Sequence, residues 1–134
     1  MIITLIFTIG CASGLNSIQK REYMAYKNNR VLVEEKDPGI GAFFGILPGG
    51  GSFYAREPLL GVLNLLLWPF SILWDPLSGY QGSMAINYDM TKYKLRKDKQ
   101  REIGKLDDAL SAGEINAKQY IGEKRKIDQK YDFE

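Results

Sequence analysis

A strongly apolar run without a single charge extends from Leu59 to Trp74 and leaves no polar face. A helix that is apolar all round belongs in a protein core or in a membrane, and a chain of 134 residues has no core large enough to wrap one. Pro58 suits the first turn of such a helix, whereas Pro69 should kink or divide it. The pattern predicts a helix that meets a membrane and is interrupted at Pro69.

A shorter apolar run, Gly39 to Leu47, precedes this helix. It cannot cross a membrane by itself, because a span needs about 17–25 residues. The two runs are separated by a glycine-rich turn, Pro48, Gly49, Gly50 and Gly51, and glycine accepts the positive φ angles of a sharp turn. The pattern predicts a membrane-embedded helical hairpin over residues 39–76. The residues expected at the membrane–water interface are Phe53, Tyr54, Trp68, Trp74 and Asp75.

Two other arrangements of this stretch stay open on the sequence. Residues 59–74 could cross the membrane once, which would place the basic C-terminal half in the cytoplasm, as the positive-inside tendency prefers. The hairpin could also be buried inside a soluble protein. Of the three arrangements, we favour the membrane-embedded hairpin.

The order of features in this stretch resembles a family of small domains with two transmembrane helices. The matching features are the glycine-rich break at 48–51, the Phe53–Tyr54 pair, the segment Leu60-Gly61-Val62-Leu63-Asn64-Leu65-Leu66 and the closing Ile72-Leu73-Trp74-Asp75. They cover less than a third of the chain. The resemblance implies membrane embedding and no established enzymatic activity.

The N-terminus carries a second membrane signal. Ile2 to Ile9 is an apolar run of the length found in signal peptides, too short to span. The sequence Thr8-Ile9-Gly10-Cys11 resembles the lipobox of bacterial lipoproteins. That resemblance implies cleavage before Cys11, a diacylglycerol on its thiol and a fatty acid such as palmitate on its new amino group. The chain would then be lipid-anchored in a bacterial envelope. The alternative is an apolar N-terminus with an incidental cysteine.

The C-terminal part is charged and helical in pattern. Residues 77–82 are expected to form a linker, and from about Ser83 apolar residues recur at helical intervals among charges. Gly113 is expected to end this long helix, and Asn116, with Gln119 three residues on, to cap the next one. The sequence therefore predicts a long charged helix followed by a small helical hairpin.

The apolar stripe of this hairpin is the predicted interaction surface: Ile103, Leu106, Leu110, Ile115, Tyr120 and Ile127. The segment resembles the short C-terminal domain family called SHOCT, through Leu106, Leu110, Gly113, Ile115, Asn116, Tyr120 and Lys124. The resemblance implies oligomerisation or assembly and no catalysis. The helices are short enough to be marginal in water by themselves, so the stripe is expected to meet a second copy or another envelope protein.

Composition narrows the chemistry. The chain has no histidine, one cysteine and a formal net charge of +2, which removes the usual general base near neutral pH and the possibility of an internal disulfide. The candidate acids Asp37, Glu57 and Asp75, with Arg56 beside Glu57, lack a base partner and metal-ligand spacing. The glycines match no phosphate-binding motif. We expect no enzyme, no cofactor, no metal and no nucleic-acid partner.

Between the N-terminal segment and the hairpin, residues 18–38 are polar, with a short interfacial helix and then a brief extended segment, Arg30 to Glu35. The basic residues from Lys92 to Arg101 could attract anionic lipid.

The predicted fold is all-α, with segments 1–17, 18–38, 39–76 and 83–134. The predicted function is a small membrane-anchored envelope protein that assembles or scaffolds a membrane complex through its C-terminal helices. The alternative is an oligomeric pore or transport accessory built on residues 39–76, where Asn64 is the polar group that could line an interface.

Overall fold

The computed structural model describes residues 14–133, and these residues form an all-α protein. The chain is 73% helical, and residues 14–133 contain no strand. The elements are α1 (Ser17–Asn28), α2 (Pro38–Phe44), α3 (Gly50–Tyr54), α4 (Pro58–Leu66), a 3-10 helix (Phe70–Leu73), α5 (Asp75–Ser111) and α6 (Ala117–Lys130). The chain divides into two compact units, the first ending at Met90 and the second beginning at Thr91. The predicted all-α class is confirmed.

Helix α1 is the expected short helix of the polar segment. Asn16 caps it, because its side chain accepts from Ile18 N at 3.0 Å and from Gln19 N at 2.9 Å. The buried side of α1 presents Tyr26, whose ring stacks on that of Tyr88 at 6.0 Å. The buried apolar residues of the described chain are few: Leu15, Tyr23, Tyr26, Ala55 and Tyr88.

The segment after α1 is not a strand, so the extended segment predicted over 30–35 does not form one. The chain turns back on the helix instead, because the backbone N–H groups of Val31 and Leu32 both donate to the Tyr26 carbonyl, at 3.0 and 3.2 Å. Residues 14–133 contain no strand with which the apolar run of Val31 to Val33 could pair.

Residues 39–76 are more broken than the predicted two-helix hairpin. They contain α2, α3, α4 and the 3-10 helix, because a residue that disfavours continuation stands at each junction: Pro48, Arg56 with φ 62° and Pro69. Gly50 and Gly51 of the predicted turn are the first residues of α3. The expectations that Pro58 begins a helix and that Pro69 divides one are confirmed.

None of the helices in the described range 14–133 combines the length and the apolar character that a membrane crossing requires.

Helix α5 begins at Asp75, so the linker predicted over 77–82 is wrong. Small residues such as Ser78 and Gly79 suggested a flexible connection. They are instead buried positions of a helix against which other backbone packs closely. The boundary between the two units lies inside this helix, after Met90.

The C-terminal hairpin forms as predicted. Helix α5 ends at Ser111, and Gly113 follows with φ 73°, the left-handed conformation that glycine tolerates best. Asn116 caps α6, since its side chain accepts from Gln119 N at 3.0 Å while the Gln119 side chain accepts from Asn116 N at 2.9 Å. The capping box expected from the sequence is confirmed.

Candidate functional site

A buried carboxylate, Asp75, is the centre of the first unit. Its Oδ1 accepts from Ser52 Oγ at 2.6 Å, from Ser52 N at 3.1 Å and from Asn64 Nδ2 at 2.8 Å. Its Oδ2 accepts from Gly51 N at 3.1 Å. The side chain is 0% exposed. Four donors from two other helices therefore replace the water that a buried carboxylate would otherwise need.

Asn64 extends this network outward from Asp75. Its Nδ2 also lies 2.9 Å from Ser52 Oγ, and its Oδ1 accepts from Trp74 Nε1 at 2.9 Å. We call Ser52, Asn64, Trp74 and Asp75 the polar cluster. Within the described residues, every buried side-chain nitrogen and oxygen atom has a hydrogen-bond partner, so the cluster is a closed structure with no free group turned toward a ligand.

The fold brings the cluster together from three helices. Ser52 lies in α3, Asn64 in α4, and Asp75 is the first residue of α5. An acidic residue in the first turn of a helix interacts favourably with the helix dipole. The network thus joins the glycine-rich turn and the apolar helix to the start of the longest helix.

A second polar link joins the polar segment to α5. The Asn87 side chain accepts from Lys36 N at 2.8 Å and donates to Lys36 O at 2.7 Å. Its amide therefore satisfies both backbone groups of Lys36. Asn87 is 0% exposed. Residues that are far apart in the sequence are again joined by side-chain amides.

Glycines allow the backbones in this unit to come close together. A Cβ added at Gly79 of α5 would overlap the carbonyl oxygen of Gly41 in α2, and one at Gly41 would overlap that of Gly79. A Cβ at Gly51 would overlap the carbonyl oxygen of Asp75. Close helix contact through small residues, with Ser and Asn side chains bonded across it, is typical of helix packing in membranes.

The outside of the unit is as apolar as its inside is polar. Its largest fully buried side chains are all polar: Asn64, Asn87, Asp75, Ser52, Ser71, Ser78 and Ser83. The apolar side chains between Ile40 and Tyr80 are mostly exposed, and we call them together the apolar surface. Its most exposed members are Leu59 (82%), Leu73 (77%), Leu66 (76%), Phe70 and Phe43. This is the reverse of the arrangement expected in water, where buried polar side chains are the exception.

The residues predicted at the membrane interface differ in their surroundings. Phe53 and Trp68 are exposed, with Trp68 at 54%. Tyr54 is half-buried, and its hydroxyl accepts from Asp37 N at 3.2 Å. Trp74 and Asp75 belong to the polar cluster, in which the Trp74 indole N–H donates to Asn64 and the Asp75 side chain is fully buried. Their placement at a membrane interface stays a prediction.

Asp37 and Arg56, two of the charged residues considered from the sequence, have local structural roles. Asp37 caps α2 by accepting from Ile40 N at 3.0 Å, and Arg56 pairs with Glu35. Residues 14–133 contain no group of three or more His, Cys, Asp or Glu side chains that could hold a metal ion. Cys11 and the lipobox-like segment lie outside the described residues.

The predicted interaction stripe lies in the second unit and is only partly covered. Ile103, Leu106, Ile115, Tyr120 and Ile127 are half-buried, and Leu110 is exposed. Polar contacts join α5 to α6: Tyr120 Oη donates to Asp107 at 2.8 Å, Lys130 pairs with Glu102 at 2.5 Å and Lys99 with Asp128 at 2.8 Å.

These ion pairs shift the pKa values of their members. The hydrogen bond from Lys130, and then that from Tyr131, lowers the pKa of Glu102 below its ordinary value. The hydrogen bond from Lys99 lowers the pKa of Asp128. Because these groups are near the surface, water and salt screen them, and such pairs orient a hairpin more than they stabilise it.

The sequence could have suggested the polar cluster only in part. Asn64 and Ser71 interrupt an apolar run, and a polar group there needs a partner. Nothing in the spacing shows that Ser52 and Asp75, 23 positions apart, supply that partner. Comparisons of the chain with protein families, with curated proteins and with solved structures find no match. The resemblances to lipoproteins, two-helix membrane domains and SHOCT segments therefore stay predictions.

Proposed function

We propose that this is a membrane-embedded protein whose first unit sits in one side of a bilayer, with the apolar surface against lipid. The observation that carries the proposal is the reversed polarity of the unit: its fully buried side chains are polar while leucine, phenylalanine and tryptophan side chains face outward. Exposing that much apolar area to water is unfavourable by about 25 cal/mol per Å². A lipid environment removes this cost.

Charge placement supports lipid as the occupant of the apolar surface. Residues 38–55 and 58–74 contain no Asp, Glu, Lys or Arg. The one charged side chain that immediately follows, Asp75, is enclosed by donors. A protein partner would be expected to meet a polar rim around an apolar centre, but here the uncharged character extends along both stretches without interruption.

The proposed role is assembly in a bacterial cell envelope. The C-terminal hairpin supplies an interaction module, supported by its partly exposed stripe, and acylated Cys11 supplies a lipid anchor in this proposal. The alternative, an oligomeric pore, finds no support at Asn64, because its side-chain amide is bonded to Ser52, Trp74 and Asp75 within one chain.

A pair of triple variants of the full-length chain tests both parts of the proposal. Each set replaces exposed apolar residues by serine and serves as the control for the other. The first set, in the apolar surface, is Leu59→Ser, Leu66→Ser and Leu73→Ser; the second set, in the second unit, is Tyr93→Ser, Leu110→Ser and Ile121→Ser.

The two sets are compared by flotation with phosphatidylcholine vesicles and by particle size in detergent. We expect the first set to lose most vesicle binding and to keep the particle size of the wild type. We expect the second set to keep vesicle binding and to form smaller particles. The membrane proposal is wrong if the wild-type protein does not float with the vesicles and the first set of substitutions gives smaller particles than the wild type. The apolar surface would then be a contact between protein chains.

A further inference from the structure

One side of α5 in the second unit is basic. Lys94, Lys97, Arg101 and Lys105 follow one another at intervals of three or four residues, which places them on one side of a helix. All four are exposed, and the Arg101 side chain is 62% exposed. We call these four residues the basic face.

The contacts of α5 with α6 use other positions. They come from Lys99, Glu102 and Asp107, none of which belongs to the basic face. At Gly104, next to Lys105, nothing lies within 4 Å of an added Cβ. The basic face is thus left open by the hairpin that the second unit forms.

Acidic residues neutralise the basic face only in part. Asp98 pairs with Arg101 at 3.1 Å, and Asp108 stands three residues after Lys105. The Lys97 ammonium group lies 5.9 Å from the centre of the Tyr93 ring, and Lys97 is exposed. Four basic residues against Asp98 and Asp108 leave a net positive surface.

We infer that the basic face binds the anionic head groups of phospholipids at the surface of the membrane that holds the first unit; this rests on the membrane embedding proposed above. Two observations favour lipid over nucleic acid. The basic face begins just beyond Met90, where the first unit ends, on a helix that runs unbroken from Asp75. Tyr93 is the single exposed aromatic beside it, whereas nucleic-acid surfaces usually offer several for stacking. A juxtamembrane cluster of this kind attracts anionic lipid.

The test measures binding of the full-length chain to two kinds of vesicle, one of phosphatidylcholine and one of phosphatidylcholine with phosphatidylglycerol, at low and at high salt. The face variant is Lys94→Gln, Lys97→Gln, Arg101→Gln and Lys105→Gln. The control removes the same charge from α6 by Lys118→Gln, Lys124→Gln, Arg125→Gln and Lys126→Gln. Glutamine keeps helix propensity close to that of lysine and arginine.

We expect wild type to bind the anionic vesicles at least about tenfold more tightly than the neutral ones at low salt. The face variant should lose this preference, the control should keep most of it, and high salt should weaken it. Equal loss in both variants, or no preference in wild type, overturns the inference. So does binding to a labelled DNA duplex that depends on the basic face in the absence of a lipid preference.

Failure of the inference differs visibly from failure of the membrane proposal. If wild type and both variants bind neutral vesicles equally and anionic ones no better, the membrane proposal stands and the inference is wrong. If wild type does not bind neutral vesicles at all, the membrane proposal fails, whatever the anionic vesicles show.

Discussion

At the scale of single residues, the buried side chain of Asp75 links three helices of the first unit. It receives donors from Ser52, Gly51 and Asn64, residues that come from two other helices. Hydrogen bonds to a charged group contribute more than neutral ones, about 1.5–3 kcal/mol each. In a unit whose apolar side chains face outward, such polar contacts are what specify how its helices are arranged.

We therefore predict that Asp75→Asn lowers the free energy of unfolding by about 2–4 kcal/mol. The asparagine amide would turn a donor toward the N–H groups that now point at a carboxylate. The measurement is thermal or chemical unfolding in detergent micelles, followed by circular dichroism. Asp89→Asn is the control, because Asp89 is exposed on the same helix, and its effect should stay within about 0.5 kcal/mol. Equal effects of the two substitutions would contradict the structural role of Asp75.

At the scale of helices, close approach of backbone replaces the apolar layer that usually separates packed helices. Helix α2 meets α5 at Gly41 and Gly79, where the backbones of the two helices are in direct contact. Ser83 adds a hydrogen bond from its hydroxyl to the Gly79 carbonyl at 2.7 Å. Glycine at these two positions thus allows α2 to pack closely on α5.

Alanine at two glycines of α5 should have opposite effects. Gly79→Ala should destabilise the protein by about 1–3 kcal/mol or more, because its Cβ meets rigid backbone. Gly104→Ala should stabilise it by up to about 1 kcal/mol, because nothing lies near it and alanine favours the helix. Unfolding of the two variants under the same conditions gives the comparison. Stabilisation by Gly79→Ala would show that α2 does not pack against α5 in this way.

Local signals in the sequence predicted the helix ends well, because capping depends on neighbours along the chain. Asn116 with Gln119, Gly113 and Pro58 all act as their positions indicate. The beginning of α5 could not be predicted in the same way. Ser78 and Gly79 have the composition of a linker, and only the approach of Gly41, distant in sequence, explains why they are helical.

At the scale of the whole molecule, the sequence shows where along the chain the apolar stretch lies. It does not show which side chains of that stretch turn outward. Leu66 and Trp68 face outward, whereas Asn64, two residues before Leu66, is fully buried. Hydropathy averages over these positions. The distinction depends on Ser52 and Asp75, which meet Asn64 only in the folded chain.

The two tryptophans report on this arrangement. Trp68 is 54% exposed on the apolar surface, while the Trp74 indole donates to Asn64. In vesicles of brominated phosphatidylcholine, which quenches nearby tryptophans, we expect Trp68→Phe to remove the larger part of the quenching seen in wild type. Vesicles without bromine provide the baseline. Undiminished fractional quenching in Trp68→Phe would mean that Trp74 is the indole nearer to lipid and that the proposed orientation is wrong.

The polar cluster also has a consequence for the order in which the protein can be made. Ser52 and Asn64 are synthesised before Asp75, and Lys36 long before Asn87, its partner 51 positions later. Chains emerge from the ribosome N-terminus first, so the apolar stretch leaves the exit tunnel while the groups that complete it are still inside. In a nascent chain that ends before Asp75, the donors of Ser52 and Asn64 lack their acceptor. The leucines of the apolar surface are exposed in the same chain. The polar cluster can therefore close only after the beginning of α5 has been synthesised.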